Sequence, residues 1–175
     1  MEVNVKVLIS EDEVKERIRA IGEQISADYA GKELHVVCIL KGGVFFMCDL
    51  VKNITVPVTH DFMSVSSYGD GTVSTGRIKL IKDLDESIEG KDVLIVEDIL
   101  DTGRTLHHLI QLLHTRNPKS IKLCTLLDKP DRRVIDVPVD YVGFQIPDLF
   151  VVGYGLDYAQ HYRNLPYIGV VDVEE

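Results

Sequence analysis

The sequence holds 175 residues, 45% hydrophobic and 27% charged, which is the profile of a globular domain with a proper core and excludes a disordered or repeat protein. Nineteen Lys and Arg against 28 Asp and Glu leave a formal net charge of -9, which argues against a general nucleic-acid surface, because phosphate backbones are held mainly by Lys and Arg. Cys38, Cys48 and Cys124 lie in apolar runs, odd in number and without C-x-x-C spacing, so they read as core packing and not as disulfides or zinc ligands. The first 15 residues are charged throughout and lack an apolar h-region, and no apolar run approaches membrane-spanning length, so a cytoplasmic protein is expected.

Taken in order, Val3, Val5 and Val7 alternate with Asn4 and Lys6 as in a short half-exposed strand. Ser10 and Glu13 form a capping-box pattern, and Val14, Ile18, Ile21 and Ile25 recur at helical spacing, predicting a helix over 11–29. An apolar strand over 36–40 ends at Lys41-Gly42-Gly43, ahead of an apolar run over 44–51 that repeats the strand, turn, helix logic. Pro57 marks the start of another strand, extended through 60–67 with mixed polarity. Residues 68–76 combine three glycines with small polar residues and predict a mobile loop, entered at Ser67 and Tyr68. A strand returns over 77–81, and an acidic connection over 83–92 leads to the stretch that organises the chain.

In that stretch Val93, Leu94, Ile95 and Val96 form a strand buried on both faces, since a one-sided strand would alternate polar and apolar positions. It runs into Glu97 and Asp98. After Ile99 and Leu100, Asp101 opens the turn Thr102-Gly103-Arg104-Thr105, and Leu106, Leu109, Ile110, Leu112 and Leu113 mark the helix that follows. Such a turn offers backbone N–H groups, hydroxyls and the positive end of a helix dipole to a phosphate. The acids just before it suit hydroxyls, a metal ion or a proton, so a phosphorylated sugar satisfies both halves. Asn117-Pro118 stops the helix, and an apolar strand over 121–127 ends in Asp128-Lys129-Pro130. Because a strand-helix-strand crossover is right-handed and parallel, Lys129 is predicted on the same sheet edge as Glu97 to Thr105, the edge where open parallel sheets bind ligands. The remainder reads as short strands over 139–146, 150–154 and 168–173 with a polar segment over 157–163, forming a small cap over that edge.

Neither G-x-x-x-x-G-K-[ST] nor a helix-opening G-x-G-x-x-G is present, so ATP-loop and dinucleotide readings are weak. A receiver-type phosphoacceptor domain fails on spacing, since only one helix and one strand separate Asp98 from Lys129.

Residues 93–105 closely resemble the phosphoribosyl-pyrophosphate (PRPP) signature of the type I phosphoribosyltransferases. Leu40-Lys41-Gly42-Gly43, Ser66-Ser67-Tyr68-Gly69, Leu127-Asp128-Lys129-Pro130, Ile146-Pro147-Asp148, Phe150-Val151-Val152-Gly153-Tyr154, and Leu156-Asp157-Tyr158 with Tyr162-Arg163 are similar to the 6-oxopurine branch, the hypoxanthine-guanine phosphoribosyltransferases. The resemblance spans most of the chain in the family's order. It implies one α/β domain over 1–175 with a mostly parallel central sheet and helices on both faces, a core of about 33–130 and a hood from about 1–10 and 131–175.

Carried over residue by residue, it implies that Asp101, Thr102, Gly103, Arg104 and Thr105 hold the 5-phosphate, with the Arg104 side chain dispensable. Glu97 and Asp98 face the ribose hydroxyls directly or through Mg2+. Lys41 and Gly42 meet the pyrophosphate through backbone N–H groups, across a Leu40–Lys41 peptide often cis in the family. Arg163 pairs with the pyrophosphate and Asp157 with its Mg2+. Phe150 stacks on the purine, Val151 contacts its edge and Lys129 donates to O6. Taken singly, Phe150 reads as core and Lys129 as a solvated strand-end charge; the shared context reverses both. His107 and His108 match no catalytic position. Asp101, between phosphate loop and base, is the candidate for taking the purine proton. The implied activity is Mg2+-dependent transfer from PRPP to hypoxanthine or guanine in purine salvage, by a homodimer or homotetramer with small-molecule substrates and neither nucleic acid nor membrane as partner. The alternatives are a xanthine-preferring relative and a non-catalytic PRPP or nucleotide sensor, which would want a basic face that this acidic chain lacks.

Overall fold

The structure, a computed structural model, describes residues 3–67 and 77–172. Its elements run β1 (Asn4–Ile9), α1 (Glu11–Asp28), β2 (Leu34–Leu40), α2 (Val44–Val51), β3 (Val58–Ser67), β4 (Ile78–Lys82), β5 (Asp92–Leu100), α3 (Arg104–His114), β6 (Ser120–Asp128), a 3-10 turn (Pro130–Arg132), β7 (Tyr141–Gln145), β8 (Val151–Val152) and β9 (Ile168–Asp172). The loop expected over 68–76, Tyr68 included, lies outside the described residues; Ser67, at its start, is exposed at the end of β3.

Six strands form the main sheet in the order β4-β3-β2-β5-β6-β7, with β4 antiparallel on one edge and the other five parallel. The apolar run of β5 explains its central place. Leu94 and Val96 pack into a cluster with α1 and α2, whereas Val93 and Ile95 pack into a second cluster with α3, so successive side chains fill opposite faces. Helices therefore cover both faces. The capping box at Ser10 is formed as the pattern predicts, with Glu13 N–H donating to Ser10 Oγ and Ser10 N–H to Glu13 Oε2.

Three expectations are corrected. Residues 131–175 do not all belong to the cap, because β7 pairs in parallel with β6 as the sixth strand of the main sheet. Its mixed polarity reflects an edge position whose backbone is served by α1: Arg17 donates to the carbonyls of Gly143 and Val142 at 2.9 and 2.7 Å. The cap is the three-stranded antiparallel sheet β1-β9-β8. Within β1, Val7 is 59% exposed and Ile9 is buried in its stead, because the register shifts between Val7 and Ile9, as at a bulge, and breaks the simple alternation. Cys48 is exposed on α2, while Cys38 and Cys124 are buried as core residues, burial pushing the Cys38 thiol up to about 12. No helix among the described residues is long and apolar enough to cross a membrane.

Candidate active site

Parallel strands deliver their carboxyl ends to one edge, so β2, β5 and β6 place Lys41, the acids after Val96, and Lys129 side by side. The Lys129 N–H donates to the Leu100 carbonyl at 2.9 Å, tying the ends of β5 and β6 together.

The turn after β5 is shaped by backbone. Gly103 is the N-cap of α3 with φ 84°, and a Cβ there would lie 2.5 Å from the Ile135 carbonyl oxygen, so both conformation and space require glycine. Its position also leaves the helix start without an N-cap side chain. The Thr102 carbonyl accepts from Val134 and Ile135 at 2.9 and 3.2 Å, anchoring the turn from behind. In front lies a small cavity of about 140 Å³ lined by Glu97, Asp101, Thr102, Gly103 and Thr105, which brings together hydroxyls and a helix amino terminus as a phosphate requires.

Glu97 and Asp98 face the same edge. Asp98 N–H donates to Glu97 Oε1 at 3.0 Å, and Ile99 N–H to Asp98 Oδ1 at 2.7 Å. Burial, and then the neighbouring Asp98 charge, push the Glu97 carboxyl well above the usual carboxylate range. Hydroxyl donors or a cation would relieve that burden. The Asp98 carboxylate lies against Gly42, where a Cβ would fall 1.9 Å from Asp98 Oδ2; the Leu40–Lys41 peptide just before it is cis.

The polar segment after β8 comes back over this corner. Arg163 Nη1 donates to the Gly155 carbonyl at 2.6 Å, and Nη2 stands 3.3 Å from Asp157 Oδ1 and 3.1 Å from Gln160 Oε1. Lys41 Nζ reaches the same Gln160 oxygen at 3.4 Å, and Gln160 N–H donates to Asp157 Oδ2 at 2.9 Å. Lys41, Asp157 and Arg163 are thus gathered through Gln160. Ala159, Gln160 and Tyr162 adopt left-handed φ values of 49°, 69° and 71°, an uncommon run for non-glycine residues.

Beside it a larger cavity of about 380 Å³ is lined by Asp98, Asp101, Lys129, Phe150, Val151 and Asp157, among others. Lys129 is only 7% exposed, and its Nζ stands 3.8 Å from Asp148 Oδ1, beyond direct hydrogen-bond reach. A buried ammonium so placed calls for an acceptor on its ligand. Phe150 is not core: it is 51% exposed, held edge-on by Tyr158 at 5.7 Å and 89°. Val151 is buried beside it in β8. Asp101 lines both cavities.

Among the described residues no three His, Cys, Asp or Glu side chains come together closely enough to hold a metal ion. The donor set nonetheless fits Mg2+, which keeps several waters and takes one or two carboxylates together with substrate oxygens. Glu97 and Asp98 at the end of β5 and Asp157 on the segment after β8 would supply the carboxylates. Three polar residues escape a reading of the sequence: Gln160, Arg132 and Arg133. The paired arginines one residue beyond Asp128-Lys129-Pro130 are the available signal for the last two; Gln160 has none.

A mostly parallel sheet with an acid pair, a glycine turn and a facing three-stranded cap at its carboxyl edge is the architecture of a phosphoribosyltransferase. The model of the phosphoribosyl transferase domain matches residues 9–159. The chain is 55% identical over 173 residues to the hypoxanthine phosphoribosyltransferase of Salmonella typhimurium, covering 98% of this chain and 97% of that protein. It is 58% identical over 169 residues to the bifunctional protein TilS/HprT of Listeria innocua, where 97% of this chain matches and the chain spans about a quarter (26%) of the relative's length. A crystal structure of a hypoxanthine-guanine phosphoribosyltransferase from Bacillus anthracis superposes with a TM-score of 0.93 at 47% identity, covering 98% of this chain and 100% of that one. The chain belongs to the phosphoribosyltransferase family, in its hypoxanthine and hypoxanthine-guanine branch.

Proposed function

We propose that this chain transfers the 5-phosphoribosyl group of PRPP to N9 of hypoxanthine, and of guanine, releasing IMP or GMP and pyrophosphate. The observation that carries the reading is Asp101, which lines both the phosphate cradle and the neighbouring cavity where Phe150 and Lys129 offer a stacking face and a buried donor. The turn from Asp101 to Thr105 holds the 5-phosphate through backbone and hydroxyl groups. Glu97 and Asp98 orient the ribose hydroxyls. Phe150 stacks on the purine, Lys129 donates to O6, and the Val151 backbone meets the ring edge. Breaking the C1–pyrophosphate bond places negative charge on the leaving group, which Arg163 and the N–H groups around Lys41 and Gly42 receive. Glu97, Asp98 and Asp157, together with substrate oxygens, would hold Mg2+, which when bound would supply charge neutralisation at the pyrophosphate. As N9 attacks C1, Asp101 takes the ring proton near N7. The protein works in the cytoplasm as a homodimer or homotetramer.

The test is a panel of hypoxanthine, guanine, xanthine and adenine with PRPP and Mg2+, following nucleotide formation. Formation of IMP, with GMP formation accompanying it, is expected. XMP as the main product would move the chain to a xanthine-preferring relative, and no product with any base would make it a sensor.

A further inference from the structure

Arg132, the last residue of the 3-10 turn after Lys129, reaches acids on two other segments. Its Nε donates to Asp101 Oδ1 at 2.7 Å, and its Nη1 stands 3.5 Å from Asp148 Oδ2. The other Asp148 oxygen is the one 3.8 Å from Lys129 Nζ. Charges therefore alternate along the wall of the purine cavity, from Asp101 through Arg132 and Asp148 to Lys129. The adjacent Arg133 acts differently. Its Nε donates to the Asp101 carbonyl at 3.1 Å while its Nη2 pairs with Asp128, so it fixes the backbone where Arg132 takes the side chain.

Folding gives little reason for this arrangement. The Arg132 and Asp101 side chains are 46% and 42% exposed, and ion pairs so exposed contribute little to stability. Its consequence for chemistry is larger. A carboxylate whose Oδ1 is held by a guanidinium presents Oδ2 in one direction, the arrangement of a base oriented by a third group. A guanidinium suits this role because it stays charged and never competes for the proton in transit.

We propose that Arg132 is a positioning residue for the transfer, fixing the Asp101 carboxylate toward the purine and, through Asp148, tying its orientation to Lys129. The inference rests on Asp101 as the proton acceptor proposed above. It is tested with Arg132→Ala and Arg132→Lys, each alone and in an Asp101→Asn background, by measuring kcat and KM for hypoxanthine and PRPP, with thermal denaturation to verify folding. Arg132→Ala is expected to lower kcat about tenfold while KM for PRPP stays within about twofold, and Arg132→Lys, able to reach one acid but not both, to recover part of the loss. In the Asp101→Asn background neither change should lower kcat further, a non-additivity that a merely structural role would not produce. A kcat for Arg132→Ala within about twofold of the parent, or the same loss in both backgrounds, overturns the proposal. Undiminished turnover by Asp101→Asn alone would instead sink the role of Asp101, so the two failures are told apart. If Arg132→Ala fails to fold, Asp148→Asn in both backgrounds serves as the second variant, with the same non-additivity expected and plain additivity overturning the proposal.

Discussion

The phosphate cradle and the purine cavity share Asp101 but are built in opposite ways. The cradle is one unbroken stretch from the end of β5 into α3, and its shape comes from backbone: the left-handed Gly103, the anchored Thr102 carbonyl and the start of a helix. The purine cavity draws on β5, the end of β6, the 3-10 turn and the hood, and its shape depends on side-chain pairs such as Arg132 with Asp101, 31 residues apart, and Lys129 with Asp148. In the proposed function PRPP, the ligand common to the superfamily, meets the backbone part, and the base, the ligand that distinguishes branches, meets the side-chain part. Substitutions should therefore damage the cradle by blocking backbone and the cavity by removing a functional group.

The sharpest way to break that contrast is Gly103→Ala. A Cβ at φ 84° and 2.5 Å from the Ile135 oxygen must displace the turn, and misplacement on the ångström scale costs on the order of 10²-fold in rate. Loss of PRPP binding and of turnover together is expected, with helical content retained by circular dichroism; near-normal kinetics would show that the backbone does not shape the cradle. Next in size is Lys129→Ala, which removes a charge-assisted donor and should raise KM for 6-oxopurines about 10- to 100-fold while leaving that for PRPP nearly unchanged. Equal losses for both substrates would remove Lys129 from base recognition.

The smallest expected effect lies away from both cavities. Arg116 donates to both oxygens of Asp83 at 2.7 and 2.8 Å and, chiefly through those hydrogen bonds, holds its carboxyl below the usual carboxylate range. A carboxyl depressed by folding stabilises above its unfolded value of about 3.9 and loses that contribution as pH falls through the lower folded value. With the Asp83 side chain 46% exposed, Asp83→Asn should cost only about 0.5 kcal/mol near neutral pH, less at high salt, and leave kinetics untouched; the difference from the parent in urea melts should vanish in acid.

The contrast between the two cavities also governs what can be read from sequence. Val93 to Val96, the acids after them and the glycine turn are contiguous, so period, burial and turn chemistry are legible together, and the capping box of α1 and the apolar stripe of α3 are equally local. The cap boundary is misplaced at β7 because an edge strand with a single sheet neighbour carries no strong pattern, and what secures it, Arg17 from α1, is 125 residues away from Val142. The pairing of Arg132 with Asp101 and of Gln160 with Lys41 is hidden for the same reason: each joins separate elements, and such a pair has no spacing to recognise. Phe150 shows the reverse case, where an aromatic that composition alone assigns to the core stands half exposed, edge against Tyr158.

Central to the proposed mechanism is a division of labour among three neighbouring acids, in which Glu97 and Asp98 serve the sugar and Asp101 the purine. Calorimetric titration of the Asp101→Asn enzyme with PRPP and Mg2+, paired with single-turnover formation of IMP, tests it most directly. The division predicts PRPP affinity within about threefold of the parent and a rate lower by about 10²-fold or more. A loss of PRPP affinity as large as the loss of rate would place Asp101 with the sugar and contradict the division.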